Sequence, residues 1–407
     1  MDPCSFVPQL PITPFFHDLI LFPVSTGYIL ISNTLDITFS LPPTTMMFSR
    51  PAMRDLITLA FLIPFSAVPV AADTYDMVKE YAGTTFFDEW TFYNHFDNLT
   101  NGDVNFLSAS QATSSKLAYV NPTTKHAIIA VDNTSTVVFN DKRSSVRMQT
   151  DVRFSVGSVW TADMLHVPFG CSVWPAWWSN APTWPTGGEI DTFEGVNQVT
   201  NSQMGLHTLP GCTQVGQVQS SPLVNSTDCS FQSNSNEGCI TTVPTPQSYG
   251  AAFAAAGGGV FVTEFAETGI SIWFFPRANV PSVLSSNSST IDTSTLGMPV
   301  GNWPSTGCAS NKFFDPQNLI FDITLCGDFA GATSVFSQTC SGVCYNDYVV
   351  GNGSVYNNAY FEVASVRVFS KHGTNTIVAG NSGFKTASFS VAGVGMAGLA
   401  VAALLMF

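Results

Sequence analysis

The stretch Gly259-Val-Phe-Val-Thr-Glu-Phe265, followed closely by Gly269-Ile-Ser-Ile-Trp-Phe-Phe275, decides the fold. Apolar and polar residues roughly alternate within each run, and a glycine begins each one. Alternation with a period of two is typical of a β-strand that has one buried face. We therefore predict a β-strand for each run.

The same pattern recurs elsewhere in the chain. Runs at 144–154, 319–325 and 359–369 also alternate, and no convincing amphipathic helix is found between residues 85 and 369. Many short strands separated by Gly, Pro and Asn predict an all-β sandwich. Stretches at 220–237 and 285–295, rich in Ser, Asn and Thr, are predicted to be surface loops. Without an internal repeat, we predict a single domain over residues 73–372.

The composition excludes some partners. The 407-residue chain has 14 Lys+Arg against 28 Asp+Glu, a net charge of −14. Such an acidic surface repels phosphate backbones, so we expect no nucleic-acid partner. Charged residues make up only 10% of the chain, which fits a β-rich secreted protein.

The cysteines predict disulfide bonds. Nine are present, and eight of them lie from Cys171 to Cys344. An even set within one domain indicates an oxidising compartment. A zinc site is the weaker alternative, because the close pair Cys340 and Cys344 has no second pair or His cluster at ligand spacing. The sequence leaves the pairing open.

The N-terminal region resembles a targeting segment. Within residues 47–72, arginines precede an apolar run at 56–68 and small residues follow it, which is the architecture of a secretory signal peptide. Because the signal begins well inside the chain, we expect residues 1–46 to be a gene-model extension or disordered. The alternative is a genuine extension ahead of an internal anchor.

The C-terminal region predicts a lipid anchor. We expect residues 373–383 to be a tether that ends in a small-residue anchor site, and residues 384–407 to be a glycosylphosphatidylinositol signal with an apolar tail. The alternative is a transmembrane helix, for which the tail is short.

Five N-x-[ST] acceptors lie between the two end signals, and we expect them in surface loops. They are Asn98, Asn133, Asn225, Asn287 and Asn352. Together with the end signals, they predict an extracellular glycoprotein at the cell surface or cell wall.

A run of carboxylates is the sharpest local feature. In Glu189-Ile-Asp-Thr-Phe-Glu194, Glu189 and Asp191 share one face of a strand. A β-bulge at Thr192-Phe193 would return Glu194 to that face. Three carboxyl groups would then repel one another and raise the pKa of at least one, which suits acid/base work on a glycosidic bond. The alternatives are an exposed acidic strand or a calcium site.

Aromatic residues surround the run. Four of the eight tryptophans lie between Trp174 and Trp184, and aromatic rings stack on the apolar faces of sugars. Trp174, Trp178 and Trp184 are therefore candidates for substrate binding. His207 follows at a distance suited to the next strand, where it would touch a carboxyl group or a sugar hydroxyl. An ordinary buried histidine is the alternative for His207.

At these residues the sequence resembles glycoside hydrolase family 16, in particular the fungal endo-1,3(4)-β-glucanases. The family motif E-[ILV]-D-x-x-E is matched within Gly187-Gly-Glu-Ile-Asp-Thr-Phe-Glu-Gly-Val-Asn197. The resemblance runs from residue 81 to residue 371. It includes Ser145-Val-Arg147, Leu165-His-Val-Pro-Phe-Gly-Cys-Ser-Val-Trp-Pro-Ala-Trp177, Leu206-His-Thr-Leu-Pro-Gly-Cys212, Ile272-Trp-Phe-Phe-Pro-Arg277 and Phe321-Asp-Ile-Thr-Leu-Cys-Gly-Asp328.

The resemblance implies a concanavalin A-like β-jelly-roll, a sandwich of two antiparallel sheets. It also implies a retaining double displacement, with Glu189 as nucleophile, Glu194 as acid/base and Asp191 tuning Glu189 through a hydrogen bond. Glu264 and Trp273 lie on segments that contact substrate in the family, although a role in the strand core is equally consistent.

The motif also discriminates within the family. Mixed-linkage lichenases and chitin–glucan transglycosylases resemble E-I-D-x-E, one residue shorter, so the longer form favours a laminarinase-like hydrolase of β-1,3-glucan. The sequence leaves open the preference between pure β-1,3 and mixed β-1,3/1,4 linkages. Thr192 and Phe193 depart from the two aliphatic residues common in fungal members. A transglycosylase that remodels the cell wall and a non-catalytic glucan-binding protein remain alternatives.

The expected partner is a β-glucan polysaccharide, together with a membrane reached through the lipid anchor. We predict a monomer that requires no cofactor and no metal at the carboxylates. Some family members hold a structural Ca²⁺, but the sequence shows no dedicated calcium loop.

Overall fold

The computed structural model describes residues 21–24, 27–30 and 74–380. The predicted signal peptide (47–72) and lipid-anchor signal (384–407) lie outside these residues, as do residues 381–383 and most of the 1–46 stretch. Strands Leu21–Val24 and Gly27–Leu30 form an antiparallel pair, and they belong to a different unit of the chain from residues 74–380.

Twenty-five strands are present in the described residues. They are β1 Leu21–Val24, β2 Gly27–Leu30, β3 Thr74–Ala82, β4 Trp90–Phe92, β5 His95–Phe96, β6 Val104–Phe106, β7 Ala118–Val120, β8 Ala127–Ala130, β9 Thr136–Val137, β10 Arg143–Ser145, β11 Arg147–Thr150, β12 Arg153–Phe154, β13 Ser158–His166, β14 Val173–Asn180, β15 Glu189–Glu194, β16 Gln203–His207, β17 Cys239–Thr242, β18 Gly259–Ala266, β19 Gly269–Pro276, β20 Thr290–Asp292, β21 Gly301–Pro304, β22 Asn318–Leu325, β23 Gly351–Asn352, β24 Tyr360–Lys371 and β25 Ile377–Val378.

The helices are all short, as the sequence predicts. The α-helices are α1 Ala109–Ser114, α2 Gly250–Ala255, α3 Ser310–Phe313, α4 Gly327–Ala330 and α5 Thr333–Phe336. Short 3-10 helices lie at Gly83–Thr85, Asn234–Asn236, Pro246–Ser248, Arg277–Asn279, Ser282–Leu284, Thr293–Leu296 and Gly353–Tyr356, and a short π-helix lies at Tyr345–Val349. Within residues 74–380, no helix has the length and hydropathy needed to cross a membrane.

Two large antiparallel sheets form the sandwich. The first has seven strands in the order β17-β16-β15-β14-β22-β11-β4, and the second has the path β20-β3-β24-β13-β18-β19-β21, with β8 and β7 added beside β24. Phe193 of the first sheet lies 5.3 Å from Phe261 of the second, and Phe321 lies 5.1 Å from Phe361, measured between ring centroids. These contacts fill the space between the sheets with apolar side chains, and the predicted all-β sandwich is confirmed.

Three stretches differ from their sequence predictions. The run at 144–154 is not one strand, because β10 pairs in parallel with β6 while β11 joins the seven-stranded sheet. The predicted tether does not begin at residue 373, because β25 pairs with β12 and Thr376 is buried. Similarly, the predicted surface loop at 285–295 contains strand β20 with a buried Ile291.

The eight cysteines from Cys171 onward form four disulfides, as predicted. The pairs are Cys171–Cys340, Cys212–Cys308, Cys229–Cys239 and Cys326–Cys344. All five predicted glycosylation acceptors have exposed asparagines.

We expect the disulfides to stabilise the fold unequally. Cys171 and Cys340 are separated by 169 residues, whereas Cys229 and Cys239 are separated by 10. Because a longer closed loop removes more entropy from the unfolded chain, replacing the first pair by alanine should cost about 2 kcal/mol more than replacing the second. Urea denaturation of the two double variants measures this, and equal losses would contradict the loop-entropy explanation.

Candidate active site

The candidate site lies on one face of the seven-stranded sheet. Strand β15 is third in that sheet, between β16 and β14. Ile190 and Phe193 point into the core between the sheets, whereas Glu189, Asp191 and Glu194 point away from it. We call the face that carries these three carboxyl groups the site face.

A β-bulge puts Glu194 on the site face. Trp178 of β14 pairs with Asp191, but the preceding Trp177 pairs with Phe193, so Thr192 has no partner on β14. The pairing with β16 also shifts, between Asp191 and Glu194. The bulge predicted at Thr192-Phe193 is therefore confirmed, and it provides the extra residue that returns Glu194 to the side of Asp191.

Thr192 is fixed from the opposite sheet. Its hydroxyl shares a hydrogen bond of 2.6 Å with the Thr263 hydroxyl of β18 and accepts one of 3.4 Å from the Trp160 indole of β13. All three residues are buried. Fungal members commonly have an aliphatic residue where this chain has Thr192. A threonine in the bulge needs polar partners inside the core, and the second sheet supplies them.

Two neutral donors hold Glu194. The Trp174 indole N–H donates to one carboxyl oxygen at 2.8 Å, and the Gln203 amide donates to the other at 2.6 Å. The sequence predicts Trp174 in the site but not Gln203. A signal was available in the sequence, since Gln203 lies four residues before His207 and residues at even spacing on a strand share a face.

Glu189 and Asp191 have different surroundings. The Trp184 indole donates to Glu189 at 2.6 Å, and Trp184 itself is 42% exposed. The His207 Nε2 atom lies 3.5 Å from Asp191 Oδ2, and its Nδ1 atom shares a hydrogen bond of 3.1 Å with Asn236. The structure thus brings Trp184 and His207 to the carboxylates.

Burial dominates the electrostatics of this pair. It raises the pKa of Asp191 well above its ordinary value, and the nearby charges of Glu189 and Glu194 raise that pKa further. Burial also raises the pKa of Glu189, against an opposing effect of His207. Both pKa values are raised, which agrees with the expectation that crowding raises the pKa of at least one carboxyl group.

The same residues have the composition of a metal site. Ligand atoms of Glu189, Asp191 and His207 lie within 4.8 Å of one another. Glu189 and His207, however, already hydrogen-bond Trp184 and Asn236, respectively. The prediction of no metal at the carboxylates stays a prediction.

A second group of side chains extends the site face toward β11. The Trp178 indole donates to Asp322 at 2.6 Å, and the Arg147 guanidinium lies 4.8 Å from the Trp178 ring centroid. Burial raises the pKa of Asp322 to about 6, against the opposing charge of Arg147. Neither Arg147 nor Asp322 was predicted in the site. The available signal was a charged residue in each of two otherwise alternating strands.

Glu264 and Trp273 do not lie at this site. They belong to β18 and β19 of the other sheet, on the face turned away from the core between the sheets. There Glu264 accepts hydrogen bonds from Tyr75 and Thr293, and the buried Trp273 indole donates to the Gly297 carbonyl. The structure therefore supports the alternative for both residues, a role in strand packing away from the carboxylates.

The comparison with protein families agrees with this geometry. Residues 90–369 match the family described as the XgeA-like, catalytic GH16 domain. The chain belongs to glycoside hydrolase family 16.

Curated proteins that are similar to this chain support its assignment to the family. A probable glycosidase of Schizosaccharomyces pombe is 38% identical over 73% of this chain and 70% of its own length. A probable endo-1,3(4)-β-glucanase of Neosartorya fischeri is 34% identical over 73% of this chain, and the endo-1,3(4)-β-glucanase of Emericella nidulans is 32% identical over 80%. The match spans only 46% and 52% of these two relatives, about half of their length.

Solved structures confirm the jelly-roll fold of the family member. The laminarinase 16A of Phanerochaete chrysosporium, solved with 6-O-glucosyl-laminaritriose in donor and acceptor sites, has a TM-score of 0.69 and 35% identity. An elongating family 16 β-1,3-glucosyltransferase has a TM-score of 0.66 and 32% identity. Each comparison covers 73% of this chain and 100% of the other.

We expect the Thr192→Val variant to be less stable by about 1–3 kcal/mol, because it leaves the Trp160 indole and the Thr263 hydroxyl buried with one partner fewer. The double variant with Thr263→Val should cost less than the sum of the single variants, since the two hydroxyls lose one shared hydrogen bond. Urea denaturation of the three variants measures this coupling, and additive losses would contradict it.

We expect Asp322→Asn to flatten part of the pH dependence of stability. The pKa of Asp322 is about 6 in the folded protein and 3.8 ordinarily, so between pH 3.8 and pH 6 the native protein holds a proton on Asp322 that the unfolded chain releases. The contribution of Asp322 to the free energy of unfolding is therefore fully present below pH 3.8 and is lost as the pH rises through 6.

The wild type should accordingly lose on the order of 2–3 kcal/mol relative to Asp322→Asn between pH 4 and pH 7. Denaturation of both proteins across this range measures the difference, to which other titrating groups contribute equally. A constant difference would show that the Asp322 pKa is not raised.

Proposed function

We propose that this chain is a retaining endo-β-glucanase that hydrolyses internal β-1,3 linkages, and mixed β-1,3/1,4 linkages, of glucans. One observation supports this proposal most strongly. The bulge at Thr192 places Glu194 on the same face as Glu189 and Asp191, with three tryptophans bordering them. The names of the relatives and the sugar bound by the similar laminarinase point to the same substrate class.

The proposed reaction has two displacements. In the first, the Glu189 carboxylate attacks the anomeric carbon while Glu194 donates a proton to the glycosidic oxygen, so that this bond breaks and a glycosyl-enzyme forms. In the second, Glu194 takes a proton from water, the water oxygen attacks the same carbon, and Glu189 leaves as a carboxylate. Two inversions retain the configuration at that carbon.

Asp191 has a distinct part in this scheme. Burial and the two neighbouring carboxylates raise its pKa well above the ordinary value. We infer that Asp191 keeps a proton and donates a hydrogen bond to Glu189, which remains the anion. The nucleophile is then available without three negative charges on one face.

The indoles connect acid positioning with sugar binding. Trp174, Trp178 and Trp184 each donate an indole N–H to a carboxylate. Each ring retains an apolar surface on which a pyranose can stack, and the half-exposed Trp184 is the most accessible of the three. The predicted roles of Trp174, Trp178, Trp184 and His207 in substrate binding are kept in this proposal.

We expect Glu189→Gln to lower kcat on laminarin roughly 10³-fold or more, because the amide cannot act as nucleophile. Glu264→Gln is the matched control, since Glu264 is a partly buried carboxyl group on the other sheet, and its kcat should stay near that of the wild type. Release of reducing sugar measures both. An active Glu189→Gln variant would refute the assignment.

Azide separates the two catalytic roles. With an activated aryl β-glucoside, Glu189→Ala plus azide should yield the α-glycosyl azide, whereas Glu194→Ala should yield the β-glycosyl azide. The opposite products would exchange the roles.

A transglycosylase is the second candidate function. The similarity to the elongating β-1,3-glucosyltransferase, at 32% identity, favours it. In that case the glycosyl-enzyme is transferred to a sugar hydroxyl rather than to water. Chromatography of products from laminari-oligosaccharides distinguishes the two, because only transfer makes products longer than the substrate.

We also propose an extracellular, membrane-anchored location and a monomeric state, with no cofactor required. The four disulfides and five exposed glycosylation acceptors support secretion. Peptide mapping of the protein recovered from cells tests this. Intact peptides that span residues 47–72 would count against cleavage of a signal there.

A further inference from the structure

A line of side chains leads across the site face from the carboxylates to the sheet edge. Glu194 pairs with Ala176, Ala176 with Asp322, and Asp322 with Arg147. The Tyr93 N–H, next to β4, donates to the Arg147 carbonyl. Because directly paired residues share a face and strands lie about 4.8 Å apart, this line extends about 19 Å from Glu194.

Aromatic rings continue along this direction. The Arg147 guanidinium lies 4.8 Å from the Trp178 ring centroid and 5.6 Å from that of Tyr93. The Tyr93 centroid is 6.1 Å from His95, and His95 is 4.3 Å from Phe96. We call Trp178, Arg147, Tyr93, His95 and Phe96 the ring run.

The far end of the ring run is open to solvent and borders a cavity. His95 is exposed and Phe96 is 48% exposed, although a large apolar ring is more often buried. The cavity is a shallow depression of about 340 Å³ that opens to solvent, and His95, Phe96, Asn105, Gln111 and Ser144 help to line it. Rings beside amides and a hydroxyl can stack on a sugar and hydrogen-bond its hydroxyl groups.

We propose that the outer part of the ring run, Tyr93, His95 and Phe96, forms with this cavity a distal binding site for the glucan chain cleaved at the carboxylates. The inference rests on the proposed function for the identity of the ligand. We assign the site to the same glucan chain because the ring run is continuous. It begins at Trp178, which pairs with Asp191, and it ends at the cavity. A glucan too short to reach β4 would not use this site.

A competing occupant lies nearby. The Tyr93 hydroxyl donates to Asn98 Oδ1 at 2.8 Å, and Asn98 begins a glycosylation acceptor two residues after Phe96. A sugar attached to Asn98 could itself stack on Phe96. The experiment therefore includes a background without this acceptor.

The test compares long and short substrates. We expect Phe96→Ala and His95→Ala to raise the ratio of the KM for laminarin to the KM for laminaritriose roughly two- to tenfold, the size of one aromatic contact. The matched control is Phe139→Ala, an exposed aromatic with 63% exposure that is outside the ring run, for which this ratio should stay at the wild-type value. Because Phe96 is exposed, its variant should retain the wild-type melting temperature.

The outcomes are distinct. An unchanged KM ratio in both variants would overturn the inference. So would an effect that disappears in the Asn98→Gln background, because the occupant would then be the protein's own glycan. If the wild type cleaves neither substrate, the proposed function fails, and affinity electrophoresis in laminarin then tests the distal site by itself. In that assay, Phe96→Ala must migrate faster than Phe139→Ala for the inference to hold.

Discussion

The extra residue in β15 is the constraint on which the site depends. In a regular strand, Glu194 would point between the sheets, where Phe261 and Phe361 pack. A carboxylate there would be very unfavourable without a charged partner. The bulge avoids this cost but leaves the Thr192 hydroxyl inside, where Thr263 and Trp160 of the second sheet satisfy it. The sheet without the carboxylates thus helps to set their geometry.

The carboxyl groups of the site face could not all be charged and buried at low cost. Indole and amide N–H groups donate hydrogen bonds to most of these carboxyl groups. The donors are Trp184 to Glu189, Trp174 and Gln203 to Glu194, and Trp178 to Asp322. These donors are neutral, so they stabilise the acids without forming ion pairs that would hold the nucleophile too tightly. An indole also has an apolar face, so one residue type can fix an acid and border a sugar.

The sequence predicts much of this arrangement, for reasons that lie in local geometry. The runs in which apolar and polar residues alternate predict β18, β19, β22 and β24, and the spacing of the carboxylates predicts the bulge. The sequence could not indicate which face of a strand is the site face. In β18 and β19 both faces are covered, because residues 284–296 pack over the outer one. Glu264 and Trp273 therefore alternate just as site residues would, and only the tertiary structure separates them.

Partners that come from distant segments are the other limit of prediction. Gln203 reaches Glu194, and Arg147 reaches Trp178, only after the strands have paired. Alternation places each of these residues on a face but says nothing about strand order. Cysteine pairing is undetermined for the same reason, since eight cysteines allow about 105 pairings.

The Cys229–Cys239 disulfide is one such pairing, and it lies close to the residues that hold the carboxyl groups. The segment between its cysteines contains Phe231, whose ring lies 5.7 Å from the Trp184 ring, and Asn236, which hydrogen-bonds His207. Trp184 in turn holds Glu189, and His207 lies beside Asp191. A short closed loop contributes less to the stability of the whole fold than a long one. Its closure nevertheless restricts the segment that contacts two partners of the carboxyl groups, so the disulfide constrains the geometry of the site as well as the fold.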